Sequence, residues 1–195
     1  MSSKRVATQT KTEILDAAWD LVSHRGADVS VSEIAKQVGV SRQAIYLHFG
    51  SRGGLLIALV RRADDRFNIK AALFEAFARP DPRDRVAQTL EVWLDFVPKI
   101  YPVASDLIRL RGTDAESAAA WEDRMEELRS WLTTMCASLE RDGVLPQGWT
   151  AQDASSVFWA HSSVQVWGLF TGDCGWSADK TRAHMQHVIL SSILA

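Results

Sequence analysis

Residues 38–50 read VGVSRQAIYLHFG, a glycine turn followed by a short segment in which apolar and polar positions alternate at helical spacing. Ser41 is placed to cap a helix starting at Arg42, and Ile45 and Phe49, four positions apart, give it one buried edge. Arg42, Gln43, Tyr46 and His48 are left to face outward. So short a helix cannot stand alone in water, and its neighbours must hold it.

Those neighbours lie upstream. In TKTEILDAAWDLVSHRG (10–26), Ile14, Ala18 and Leu21 follow one helical face, Leu15 and Val22 widen it, and Gly26 offers a left-handed stop. Ser30 heads a second helix, with Glu33 three residues on in a capping-box arrangement and Ile34, Ala35 and Val38 as its buried side. Gly39 then turns the chain. Two short helices around a tight glycine turn, braced by a longer one, form a helix-turn-helix at about residues 30–49, whose second helix is shaped for a DNA major groove.

The outward side chains suit that role. Arg42 can address guanine through two hydrogen bonds, Gln43 can do the same to adenine, and Ala44 can meet a thymine methyl. Tyr46, His48, the Ser41 hydroxyl and Arg52 are assigned to phosphate and sugar, and Ser30, heading the second helix, completes the expected DNA-contact set. Lys4 and Arg5, on a polar N-terminal tail, form a candidate arm that adds nonspecific affinity or enters a minor groove.

Charge is distributed accordingly. Residues 1–54 carry seven Lys/Arg against five Asp/Glu, whereas 55–195 carry fifteen against nineteen, so the end suited to a polyanion is the N-terminal one. Cys136 and Cys174 alone spell out neither a disulfide framework nor a metal clasp, which fits a reducing cytoplasm. The uncharged stretch 154–172 has membrane length, but its serines, His161 and Gln165 make it a buried helix and not a membrane span.

The three-helix segment resembles a known family. Thr12 to Leu56, with Ala17, Gly26, Ile34, Gly39, Ser41, Tyr46, His48, Phe49 and Leu55 at matching positions, looks like the DNA-binding domain of tetracycline-repressor (TetR) regulators. The resemblance implies a homodimeric transcriptional regulator, usually a repressor, whose C-terminal domain binds a small molecule that changes DNA affinity. Two departures stand out. Ser51-Arg52-Gly53-Gly54 replaces a lysine-bearing start to the fourth helix, and Leu47 occupies a position commonly aromatic in the family. The glycines read either as a loop before the fourth helix or as a close approach of backbone to phosphate.

Downstream, residues 55–79 read as one long fourth helix packing through Leu56, Val60, Ala63 and Phe67, with Arg61, Arg62, Asp64, Asp65 and Arg66 as its solvated face. A fifth helix carries Val86, Leu90, Trp93 and Val97 and stops at Pro98, and a sixth opens at Pro102. Trp121, Met125, Leu128, Leu132, Met135 and Leu139 form the seam of a seventh. The eighth spans 151–171 and the ninth begins near Ser177. These last two helices have more apolar surface than one subunit can cover, which predicts a homodimer built on them.

Seven of eight tryptophans lie beyond residue 90. Trp93, Phe96, Trp121, Met125, Phe158, Trp159, His161, Trp167 and Phe170 are therefore the candidate lining of a site for a small apolar or aromatic effector. His184 and His187 lack the further ligands a metal site needs, and no metal or cofactor is expected. No catalytic elbow, Walker loop, zinc-hydrolase pair or dinucleotide fingerprint is present, so the chain does not read as an enzyme.

The sequence therefore predicts an all-α protein of about nine helices: an N-terminal helix-turn-helix domain, 1–55, joined through the long fourth helix to a helical bundle, 56–195. Its partners are a double-stranded DNA operator, an effector and a second copy, with no membrane. An aromatic-lined sequestering protein without operator recognition is the alternative.

Overall fold

A computed structural model describes residues 2–25 and 29–195, apart from the side chains of 2–10, Ser23, Glu116 and Ala120; the expected stop at Gly26 lies outside the described residues. Among the described residues the chain is all helical, without strands. It divides into two compact units, residues 1–66 with 102–122 and residues 67–101 with 123–195. The expected boundary after residue 55 differs from this division, which leaves the fourth helix whole and adds a later segment to the N-terminal unit.

In the first unit, α1 (Ser2–Arg25), α2 (Val31–Val38), α3 (Arg42–Phe49) and α4 (Arg52–Arg66) join the end of α6 (Pro82–Leu110) and the start of α7 (Ala115–Arg141). Helix α1 extends through the segment that the sequence reads as a polar tail. Ile14, Ala18, Trp19, Val22, Ile34, Ile45, Leu55 and Leu59 are buried in its core. Burying each large apolar side chain here contributes roughly 1.5–3 kcal/mol. Asp64, expected on the wet face of α4, is buried instead, because it follows Ala63 and lies one turn beyond Val60 on the inward side.

Both neighbouring glycines are inside α4. A β-carbon on Gly53 would sit 1.8 Å from Ser117 Oγ, and one on Gly54 would sit 2.0 Å from the Phe49 carbonyl oxygen. Close packing between chain segments explains them, and neither a preceding loop nor an approach to phosphate is required.

The second unit holds α5 (Ile69–Phe77), the first part of α6, most of α7, α8 (Ala151–His161), α9 (Val164–Gly168, continued by a π-turn at Leu169–Asp173) and α10 (Ala178–Ile193). The long fourth helix of the sequence reading is two helices. Asn68 adopts a left-handed φ of 50°, which asparagine tolerates better than most residues, and the chain restarts with Ile69, Leu73 and Ala76 buried.

Conversely, the expected fifth and sixth helices are one. Helix α6 runs through Pro98 and Pro102, although each proline removes a backbone donor. Phe96, Val97 and Ile100 before the second proline, and Val103, Ala104 and Leu107 after it, are all buried, and their burial outweighs the lost bonds.

The expected eighth helix is interrupted at Ser162 and Ser163. Ser163 Oγ caps α9 by accepting from Val166 N–H at 3.3 Å, and Trp93 Nε1 donates to the Ser162 carbonyl at 2.8 Å. The final helix starts after its Ser177 cap, as expected, with Thr181, Met185, Ile189 and Ile193 inward. No helix among the described residues is long and apolar enough to cross a membrane.

Candidate nucleic-acid interface

Helix α3 is held as its pattern requires. Ser41 Oγ accepts from Ala44 N–H at 3.0 Å, and Ile45 and Phe49 are 0% and 9% exposed. Ser41, Arg42 and Gln43 are exposed, while Ala44, Tyr46 and His48 are partly exposed. Arg42 is drawn to one side: its guanidinium donates to the Tyr46 hydroxyl at 3.1 Å and lies over that ring, 5.3 Å from its centre.

Leu47, absent from the expected contact set, is 82% exposed. The signal was present in the spacing. At about 100° per residue, Leu47 lies roughly opposite the midpoint between Ile45 and Phe49.

Two expected DNA contacts are occupied within the protein. The Ser30 hydroxyl donates to Glu33 Oε2 at 2.8 Å and accepts from the Glu33 N–H at 3.2 Å, a capping box at the start of α2. The Ser30 N–H, then its hydroxyl, then Arg25 hold the Glu33 carboxyl down at a pKa of about 2. Arg52 Nε and one terminal nitrogen donate to Asp106 Oδ2 at 3.0 and 2.6 Å, and the other donates to the Val29 carbonyl at 2.9 Å. Asp106, 2% exposed and also paired with Arg109, makes Arg52 a brace and corrects its assignment to phosphate. The spacing of Arg52 and Asp106, 54 residues apart, carries no local signal. Lys4 and Arg5 have side chains outside the described residues.

The nine aromatic and apolar candidates do not gather at one site. Trp93 and Phe158 line a narrow apolar cavity with Leu73, Phe77, Leu128 and Trp131; about 10 Å³ is left, room for one water. Phe96 packs its ring against Trp93 at 6.0 Å. Trp121 belongs to the first unit, beneath Arg111, and Met125 is half-buried on α7. Trp159 lies under Arg129, and His161 is exposed with Nδ1 at 3.0 Å from the Val157 carbonyl oxygen. Trp167 is buried, whereas Phe170 stacks on Trp176 at 4.6 Å beside His184. Among the described residues no three His, Cys, Asp or Glu side chains gather as a metal site.

The profile of the family described as bacterial regulatory proteins, tetR family, matches residues 14–59, from α1 into α4. Residues 14–59 are a tetR-family DNA-binding domain. It is 29% identical over 167 residues to the transcriptional repressor BepR of Brucella suis, covering 81% of this chain and 79% of that one. It is 24% identical over 181 residues to the regulator EthR of Mycolicibacterium smegmatis, covering 89% and 80%. Its fold matches that of a transcriptional regulator from Saccharomonospora viridis, solved in complex with choline, with a TM-score of 0.74, 21% identity and coverage of 96% and 99%. The chain that carries this domain is a DNA-binding transcriptional regulator.

Proposed function

We propose that the protein represses transcription as a homodimer on a near-palindromic operator and leaves it when a small apolar or aromatic molecule enters the second unit. One observation carries the DNA reading: α3 turns Ile45 and Phe49 inward while presenting Arg42 and Gln43 to solvent within a tetR-family domain. Gln43 serves adenine and Arg42 guanine, with Ser41, Ala44, Tyr46 and His48 beside them. Lys4 and Arg5, at the start of α1, add positive charge. The dimer uses α8, α9 and α10, where Leu169 is 55% exposed, and the protein works in the cytoplasm where DNA is accessible.

The effector site is the cavity between Trp93, Phe158, Trp131 and Phe77. Its indole N–H on Trp93 is already bound to Ser162, and Thr89 Oγ1 donates to the Arg85 carbonyl at 2.7 Å. Apolar contact therefore dominates recognition there. A ligand larger than one water must select a more open form and shifts the population toward it.

Selection from a random DNA pool tests the reading. The expected result is a palindrome whose half-sites lie about 34 to 36 Å apart, one helical turn. No enriched sequence would overturn it and favour the sequestering alternative. Addition of the effector sought by tryptophan quenching should release the selected DNA, and light scattering at micromolar concentration should give a dimer.

A further inference from the structure

Leu47 is an apolar side chain at the centre of the face that α3 turns away from its own protein. Ile45 and Phe49 define the inward direction, and about 100° per residue puts Leu47 roughly on the opposite side. Gln43, one turn earlier at i−4, shares that side, and Ala44 at i−3 flanks it. Arg42 is pulled toward Tyr46 by a hydrogen bond and a ring contact, so the cation lies to the flank. The middle of the face is therefore Leu47, with the Gln43 carboxamide on one side and the Ala44 methyl on the other.

Leucine can neither donate nor accept a hydrogen bond, so it cannot read a base edge by polarity or hold a phosphate. The apolar feature on the floor of the major groove is the thymine 5-methyl group. Gln43 matched to adenine brings a thymine across the same base pair, within reach of a side chain one helical turn away.

We infer that Leu47 is a specificity-determining residue of this regulator, packing on the thymine methyl of an A·T base pair that Gln43 reads from its adenine. The inference rests on the DNA reading proposed above and adds the base and the atom recognised. Leu47 then gains in the complex the burial that it lacks in the free chain.

The test uses the full-length protein and the DNA selected from the random pool. Each conserved thymine of a half-site is replaced in turn by deoxyuridine, which removes only the methyl group. At one thymine, wild-type affinity should fall roughly fourfold, the value of one buried methyl-sized group. The Leu47→Ala variant should bind thymine and deoxyuridine at that position equally, with an unchanged melting temperature. Deoxyuridine insensitivity at every position, or sensitivity that persists in Leu47→Ala, overturns the role of Leu47 and leaves the regulator reading intact. Failure to enrich any sequence overturns both.

Discussion

Arg52 and Asp106 are joined by two hydrogen bonds that converge on one carboxylate oxygen, at 3.0 and 2.6 Å. One partner opens α4 behind the recognition helix, and the other lies near the end of α6. The same guanidinium holds the Val29 carbonyl ahead of α2. Removing one member leaves the other desolvated and poorly matched. Asp106→Asn is expected to destabilise the fold by about 1.5–3 kcal/mol in urea unfolding, the range for hydrogen bonds to charged groups. Arg52→Lys should keep only part of the wild-type stability, since an ammonium cannot reproduce the planar set of donors. Wild-type stability in Asp106→Asn would contradict the brace.

The glycine pair makes a second case. In an open helix, replacing glycine by alanine stabilises by up to about 1 kcal/mol. Here Gly54→Ala should destabilise by about 1–3 kcal/mol, as overpacking does, because the new carbon meets the backbone oxygen of Phe49. Gly53→Ala should be rescued in part by Ser117→Gly, which removes two of the three nearest atoms. Thermal unfolding of both variants and of the double variant decides this.

Glu33 sets an acid dependence. Its folded pKa of about 2 lies below the ordinary 4.5, so its charge contributes stability above 4.5 that is lost as pH falls toward 2. Glu33→Gln keeps an acceptor for Ser30 but carries no proton to titrate. Its melting temperature should therefore fall less than that of the wild type across this window. Parallel curves would remove the capping box from the acid response.

The two thiols should separate chemically. Cys174 is exposed, whereas burial pushes Cys136 up to about 12 and keeps it protonated. A thiol-specific chromogenic reagent should titrate one cysteine promptly in the native protein and the second only after denaturant is added. Rapid reaction of both would mean that α7 opens readily around Cys136.

Local chemistry was readable from the sequence. The Ser30–Glu33 box, the Ser41 cap, the Gly39 turn and the paired anchors Ile45 and Phe49 all act within four residues or so, where spacing alone specifies the partner. Boundaries that depend on distant packing were not. Pro98 and Pro102 look like stops until the buried residues around them are known, and Asn68 gives little hint of a break inside a strongly helical run. Arg52 illustrates the same limit at the candidate site, since its chemistry suits phosphate and only the fold supplies Asp106. The aromatic residues were visible as a group, but a tryptophan's companions are set by tertiary packing, which assigned Trp121 and Trp93 to different units.

Trp93 both walls the small cavity and, through its indole hydrogen, fastens the carbonyl of Ser162 where α8 gives way to α9. A guest that levers this ring aside thereby unties a knot in the backbone and loosens the junction from which the closing helices set out. On the effector site and dimer face proposed above, occupancy and subunit pairing share a single fastening, and a compound too small to move the ring binds in silence.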